Sequence, residues 1–125
     1  NDTILYVSFN DPSDEHFQSL FAMKTELENF RTRSGAPYRL IPLPLPAECF
    51  GVDGERIPAT YANFLIINGA VLVPTYNCNH DDAALAAVGE TFPGREIIGI
   101  DCSSILLQHG SLHCLTMQLP KGTLA

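Results

Sequence analysis

Lysine and arginine number only 7 against 14 aspartates and glutamates in these 125 residues, and no dense basic run occurs. That scarcity excludes general nucleic-acid binding, because nothing gathers enough positive charge to neutralise a phosphate backbone. Apolar runs of about 18 residues are missing too, so no membrane span is predicted and a soluble chain is expected. Cys49, Cys78, Cys102 and Cys114 form no C-x-x-C pair and follow no leader sequence, so the expectation is a reduced, cytoplasmic chain. It opens at Asn1 without a methionine and enters a β-favouring run almost at once, which suggests residues upstream. Neither a phosphate loop nor a dinucleotide fingerprint is present, which excludes the usual nucleotide-cofactor sites.

What is there reads as one α/β core. The apolar fraction of 46%, against 17% charged, excludes disorder and coiled coil. Thr3 to Phe9 is β-branched and aromatic enough for a largely buried strand. Ser13 or Asp11 can cap a helix with Asp14 and Glu15 in its first turn, and Phe17, Leu20, Phe21, Lys24, Leu27 and Phe30 recur at helical spacing. Arg31 and Arg33 suit its end, and Ser34 to Pro37 reads as a connector. A second strand starts at Tyr38, and Pro42, Pro44 and Pro46 then favour an extended connector or sheet edge over a central strand.

A second unit starts near Tyr61. The runs Tyr61 to Ile67 and Ala70 to Val73, joined by Asn68-Gly69, predict a hairpin closed by Pro74. A helix over Asp82 to Phe92, capped by Asn79 or Asp81, a strand from Ile97 to Ile100 and a final strand from Leu112 follow. Strand, helix and strand thus occur twice, with approximate units at 3–48 and 58–120 and a tail from Pro120 to Ala125.

Among reactive side chains, Cys114 has the most specific setting. A strand starting beside Gly110 could expose its sulfur and offer backbone donors, which is what a nucleophilic thiolate needs. A small buried hydrophobe is the competing reading. Strand alternation turns His113 to the opposite face, as a packed histidine rather than a base. His109 could turn back through Gly110 as a proton-transfer partner, while His16 and His80 read as surface or capping residues. Zinc on His109, His113 and Cys114, with Cys78 and His80, is weighed against a spacing that fits no compact site. Asn68 belongs to the turn, and Asn63 projects an amide from an apolar strand, with internal hydrogen bonding as its first reading. Asp101, Asp81, Asp82 and Glu90 are the acidic candidates for holding a cation, Asp81 and Asp82 being better explained by the helix start.

Tyr61-Ala62-Asn63-Phe64, Asn68-Gly69-Ala70-Val71 with Val73-Pro74, Phe92-Pro93-Gly94-Arg95-Glu96, and Gly110 with His113-Cys114-Leu115-Thr116 and Gln118 stand in this order. Together they closely resemble the C-terminal part of the agmatine deiminases and the related bacterial-type peptidylarginine deiminases. The resemblance implies a pentein fold, a propeller of five α/β modules, of which this chain would supply roughly the fourth and fifth as a partial propeller. It implies Cys114 as nucleophile in hydrolytic deimination of a guanidinium, most simply agmatine to carbamoylputrescine and ammonia, with no metal or organic cofactor. It implies a substrate-lining role for Gly110. The general acid/base histidine and the guanidinium-holding acids would come from earlier modules or a companion chain, so activity is not expected of this stretch alone. A partial ring exposes apolar edges that a second copy could cover. Gln108 and His109 stand where agmatine deiminases usually carry glycines. That departure keeps two alternatives open, deimination of peptidyl-arginine and a non-catalytic binding or assembly module.

Overall fold

The computed structural model describes residues 2–123. Two parallel strand pairs, each bridged by a helix, carry the fold. Strand β1 (Thr3–Ser8) leads through helix α1 (Phe17–Asn29) to β2 (Arg39–Pro44). The pair runs parallel in register from Thr3 opposite Arg39 to Ser8 opposite Pro44. A short antiparallel ribbon, β3 (Cys49–Phe50) and β4 (Arg56–Ile57), turns through Gly54 at φ +75°. Then β5 (Leu65–Ile66) pairs antiparallel with β6 (Ala70–Thr75), helix α2 (Asp81–Thr91) crosses, and β7 (Glu96–Asp101) returns parallel to β6.

The prolines show how the sheet edges are set. Arg39 N–H donates to the Asp2 carbonyl at 2.8 Å, so Arg39, Ile41 and Leu43 face β1, while Pro42 and Pro44 fall where an N–H would point away from it. The missing donors therefore cost β2 no ladder bond, as a sheet-edge reading requires. Pro74 behaves likewise without closing its strand, which continues to Thr75. Glu96 N–H donates to the Gly69 carbonyl at 2.9 Å, so Pro74 faces the β5 side, beyond the last β5 partner, Leu72.

Three sequence expectations change. Helix α1 begins at Phe17, not near Ser13, because Asp11 and Asp14 close tight turns instead of capping a helix. Asp11 Oδ1 accepts the Ser13 N–H at 2.9 Å, and Asp14 Oδ1 accepts that of His16 at 2.8 Å. The other Asp14 oxygen takes the Arg56 guanidinium at 2.8 Å, tying the ribbon to this turn. Second, α1 buries no residue completely, since a two-stranded sheet is too narrow to cover its apolar stripe; Phe21 stays 56% exposed. Third, Tyr61 to Phe64 is a turn, and the hairpin strand starts only at Leu65. The hairpin itself forms across Asn68-Gly69, with Gly69 at φ +83° and Ile67 N–H on the Ala70 carbonyl at 3.0 Å.

The core gathers around the second sheet. Val71, Val73, Ala84 and Val88 pack with Leu43, Ile57, Tyr61, Tyr76, Cys102, Leu106 and Leu112. Helix α2 lies against β2 as well as β7, so it joins the two sheets, and Glu90 on it pairs with Arg39 on β2. Of the expected tail, Pro120 to Thr123 forms a turn closed by Thr123 N–H on the Pro120 carbonyl at 3.1 Å. Residues 124–125 lie outside the described residues.

Candidate active site

The predicted strand from Leu112 is not formed: His113–Leu115 is a single 3₁₀ turn. A strand needs a neighbour for its amides, and here a side chain takes them. Asn63 Oδ1 accepts the His113 N–H at 2.7 Å and lies 3.4 Å from the Cys114 N–H. The same amide's Nδ2 donates to Cys114 Sγ at 3.1 Å. One asparagine thus caps the free donors at the start of the turn and holds the thiol above it. The turn closes through Leu115 N–H on the Leu112 carbonyl at 3.2 Å and Thr116 N–H on the His113 carbonyl at 3.0 Å.

Leu112, 9% exposed, and Ser111, 2% exposed, anchor this turn in the core, while Cys114 is exposed. The structure therefore rejects the buried-hydrophobe reading of Cys114. The Ser111 backbone first, and the Asn63 amide second, hold the Cys114 thiol below its ordinary value, outweighing the opposing effect of desolvation. Neutral donors aimed at sulfur favour the thiolate, the form that acts as a nucleophile.

Gly110 backs this arrangement. A Cβ there would stand 3.4 Å from Cys114 Cβ and 3.9 Å from Sγ, in ordinary van der Waals contact, so position 110 lies directly against the thiol. His109, just before it, takes φ +58°, a left-handed backbone that glycine adopts freely and histidine only at some cost. Its ring Nε2 lies 3.2 Å from Glu55 Oε1 on the β3–β4 ribbon.

An open cleft of about 410 Å³ lies beside the turn, lined by Ala62, Asn63, Phe64, Ile66, His113 and Gln118. Gln118 Nε2 fixes its far side by donating to the Ile66 carbonyl at 2.7 Å. The argument from strand alternation that set His113 apart fails with the strand, since His113 lines the cleft together with Asn63. Among the described residues, no carboxylate lines it.

The acidic candidates serve structure. Asp81 Oδ1 accepts the hydroxyl of wholly buried Tyr61 at 2.6 Å and the Tyr76 N–H at 3.1 Å, while Oδ2 takes the Cys78 N–H at 3.2 Å. Asp101 closes a turn on Ser103 N–H and hydroxyl, at 2.9 and 2.7 Å, and accepts from Asn77 at 3.0 Å. Asp82 is exposed in the first turn of α2. His16 sits 3.2 Å from Asp14, and His80 precedes α2 with its Nδ1 buried and without a partner. Among the described residues, no three His, Cys, Asp or Glu side chains stand together to hold a metal ion. The zinc set is scattered accordingly: Cys78 belongs to the Tyr61 and Asp81 network, 3.1 Å from the Tyr61 hydroxyl. Asn63 is the residue that sequence reasoning undervalued; the signal was a lone amide in an apolar run, and its partners lie 50 and 51 positions away.

The chain is similar to the agmatine deiminase of Pseudomonas fluorescens, at 32% identity over 94% of this chain and 36% of that protein. It is similar to the solved agmatine deiminase of C. jejuni, at 37% identity and TM-score 0.79, covering 90% of this chain and 33% of the other. A solved structure from Porphyromonas gingivalis, provisionally designated an arginine deiminase, gives 56% identity and TM-score 0.92 over 97% of this chain and 35% of that one. The chain thus spans about a third of the length of the relatives it matches. The fold is the pentein fold of these deiminases, present here as a partial, unclosed propeller. Residues 1–120 match the model of the Porphyromonas-type peptidyl-arginine deiminase family, and with nearly the whole chain matched and the backbone shared, the chain belongs to that family.

Proposed function

We propose that the complete protein hydrolytically deiminates a guanidinium substrate through the Cys114 thiolate, with agmatine converted to carbamoylputrescine and ammonia. The carrying observation is the 3.1 Å contact between Asn63 Nδ2 and the exposed Cys114 Sγ. The thiolate adds its electron pair to the guanidinium carbon, giving a tetrahedral intermediate. A C–N bond then breaks and the departing nitrogen, once protonated, leaves as ammonia. Water adds to the remaining amidino-thioether, the C–S bond breaks, and a ureido product and the thiolate are released.

Two supports bear on the rest of the machinery. Among the described residues, the cleft lined by Asn63 and His113 has no carboxylate to pair with a cation, which fits guanidinium-holding acids and a proton-transfer group supplied by other modules or a companion chain. Relatives about three times as long leave room for them. The two strand–helix–strand units, near 3–48 and 58–120, are proposed as two of those modules, and Gly110 as the substrate-facing residue that keeps space beside the thiol. Four free cysteines fit a reducing, cytoplasmic setting. Exposure of Cys114 counts against a non-catalytic remnant. Peptidyl-arginine is the second substrate reading, supported by the description of the matched family.

Ammonia release by the complete protein from free agmatine and from an arginine-containing peptide tests the proposal. Release from agmatine is expected. Release from the peptide alone moves the assignment to protein deimination, and no release from either overturns the enzyme reading. A second expectation concerns Asn63→Ala. Wild-type Cys114 should become alkylatable with a midpoint below that of an unperturbed cysteine. Removing the sulfur's donor raises that midpoint, so alkylation at neutral pH should slow by roughly tenfold. Peptide-level mass spectrometry after iodoacetamide pulses reads both, and an unmoved midpoint rejects the role given to Asn63.

A further inference from the structure

We propose that the Tyr76 hydroxyl is a positioning group for Cys114, locking the turn that carries Asn63 to the turn that carries Ser111 and Cys114. The proposal rests on the reading of Cys114 as the nucleophile. Tyr76 follows β6 directly and is 6% exposed. Its ring lies against that of Tyr61, with centroids 5.4 Å apart, and its backbone N–H is held by Asp81 at 3.1 Å. The side chain is thereby fixed before its hydroxyl makes any contact.

That hydroxyl then reaches both loops of the site. It donates to the Thr60 carbonyl at 2.9 Å and lies 2.8 Å from Ser111 Oγ. A carbonyl can only accept, so Tyr76 gives its one proton to Thr60 and accepts from Ser111. The Thr60 carbonyl is also the acceptor for Asn63 N–H at 3.3 Å, and Thr60 Oγ1 accepts the Ala62 N–H at 3.1 Å. The hydroxyl therefore grips the residue that folds the Asn63 turn. On its other side it grips Ser111, whose backbone bears directly on the Cys114 sulfur. The two largest of the groups that stabilise the thiolate thus hang from one oxygen. Burial keeps that hydroxyl protonated far above neutral pH, so it serves as a fixed tie rather than a titrating group. On the turn with Cys114, the ionisable neighbours are His113, in the cleft, and His109, held by Glu55.

Tyr76→Phe keeps the buried ring and deletes the tie. The pH midpoint of Cys114 alkylation by iodoacetamide should rise by roughly half a unit to one unit, slowing alkylation at neutral pH by roughly three- to tenfold. Ser111→Ala cuts one arm only and should move the midpoint the same way by less. A purely structural role would lower the melting temperature and leave the midpoint alone. An unchanged midpoint in folded Tyr76→Phe overturns the proposal; if that variant does not fold, an unchanged midpoint in Ser111→Ala does so. The readout needs no substrate, which separates the two ideas. If Cys114→Ala keeps deiminase activity while the Tyr76→Phe midpoint moves, the nucleophile reading falls and the positioning stands.

Discussion

In the complete protein, Cys114→Ala is expected to abolish the proposed ammonia release, by roughly three orders of magnitude or more, while the variant still folds. A guanidinium carbon is stabilised by resonance over three nitrogens and resists water at neutral pH. In the proposed mechanism the thiolate divides that displacement into two easier steps, and deleting it removes that covalent route altogether. Serine should rescue nothing, because its hydroxyl stays protonated in a setting that only moderately favours the anion. The fold should tolerate either change. Cys114 is exposed, and its side chain's recorded partner, Asn63, still has the His113 amide to hold. Steady-state ammonia assays with agmatine and with a peptidyl-arginine substrate, alongside thermal melts, measure this. Residual activity within tenfold of wild type in a folded Cys114→Ala protein removes the nucleophile assignment.

The largest loss of stability is expected from Asp81→Ala, at about 3 kcal/mol, because it removes the shared acceptor of a buried hydroxyl and two amides at once. Tyr61 is wholly buried and donates to Asp81 at 2.6 Å, with the Tyr76 and Cys78 amides on the same carboxylate. Alanine leaves the two amides without that acceptor and the hydroxyl with only the Cys78 sulfur, 3.1 Å away, and the melting temperature should fall by roughly 10 °C. The loss carries a pH signature. Burial pushes the Asp81 carboxyl up, but the Tyr61 hydroxyl and the Tyr76 and Cys78 amides outweigh it and hold the group below its ordinary value. A folded-state value below the unfolded one means that this part of the stability is fully present above pH of about 4 and fades as pH falls through the folded value. Urea unfolding of wild type and variant at pH 7 and near pH 3 should show the gap narrowing in acid. A gap under about 1 kcal/mol at pH 7, or one that does not narrow, rejects the network as described. Since Asp81 also fixes Tyr76, the variant should disturb the Cys114 turn as well.

Much of the architecture was legible from local chemistry. Asn68-Gly69 between apolar runs specified its hairpin because glycine supplies the positive φ at no cost, and alternating prolines marked β2 as an edge because they lack outward donors. Other expectations failed where distant groups competed for the backbone. Tyr61 to Phe64 has strand-like residues, yet Tyr61 is drawn to Asp81 and Thr60 folds the next residues into a turn. Leu112 to Gln118 alternates like a strand, yet Asn63 takes its leading amides. In α1, periodicity located the helix, but burial depended on a sheet only two strands wide.

By itself the sequence determined the α/β pattern, the Asn68-Gly69 hairpin turn and the family resemblance, and it singled out Cys114 as the candidate nucleophile. Those features follow from periodicity, turn chemistry and residue order, all local along the chain. Only the tertiary structure decided what surrounds that sulfur. It replaced a strand by a 3₁₀ turn, returned His113 to the cleft, assigned Asp81 and Asp101 to structural duty and brought Asn63 to Cys114 across 51 positions. The physical reason is that a thiol's acidity is set by the donors packed around it, and those donors come from segments that only the folded core brings together.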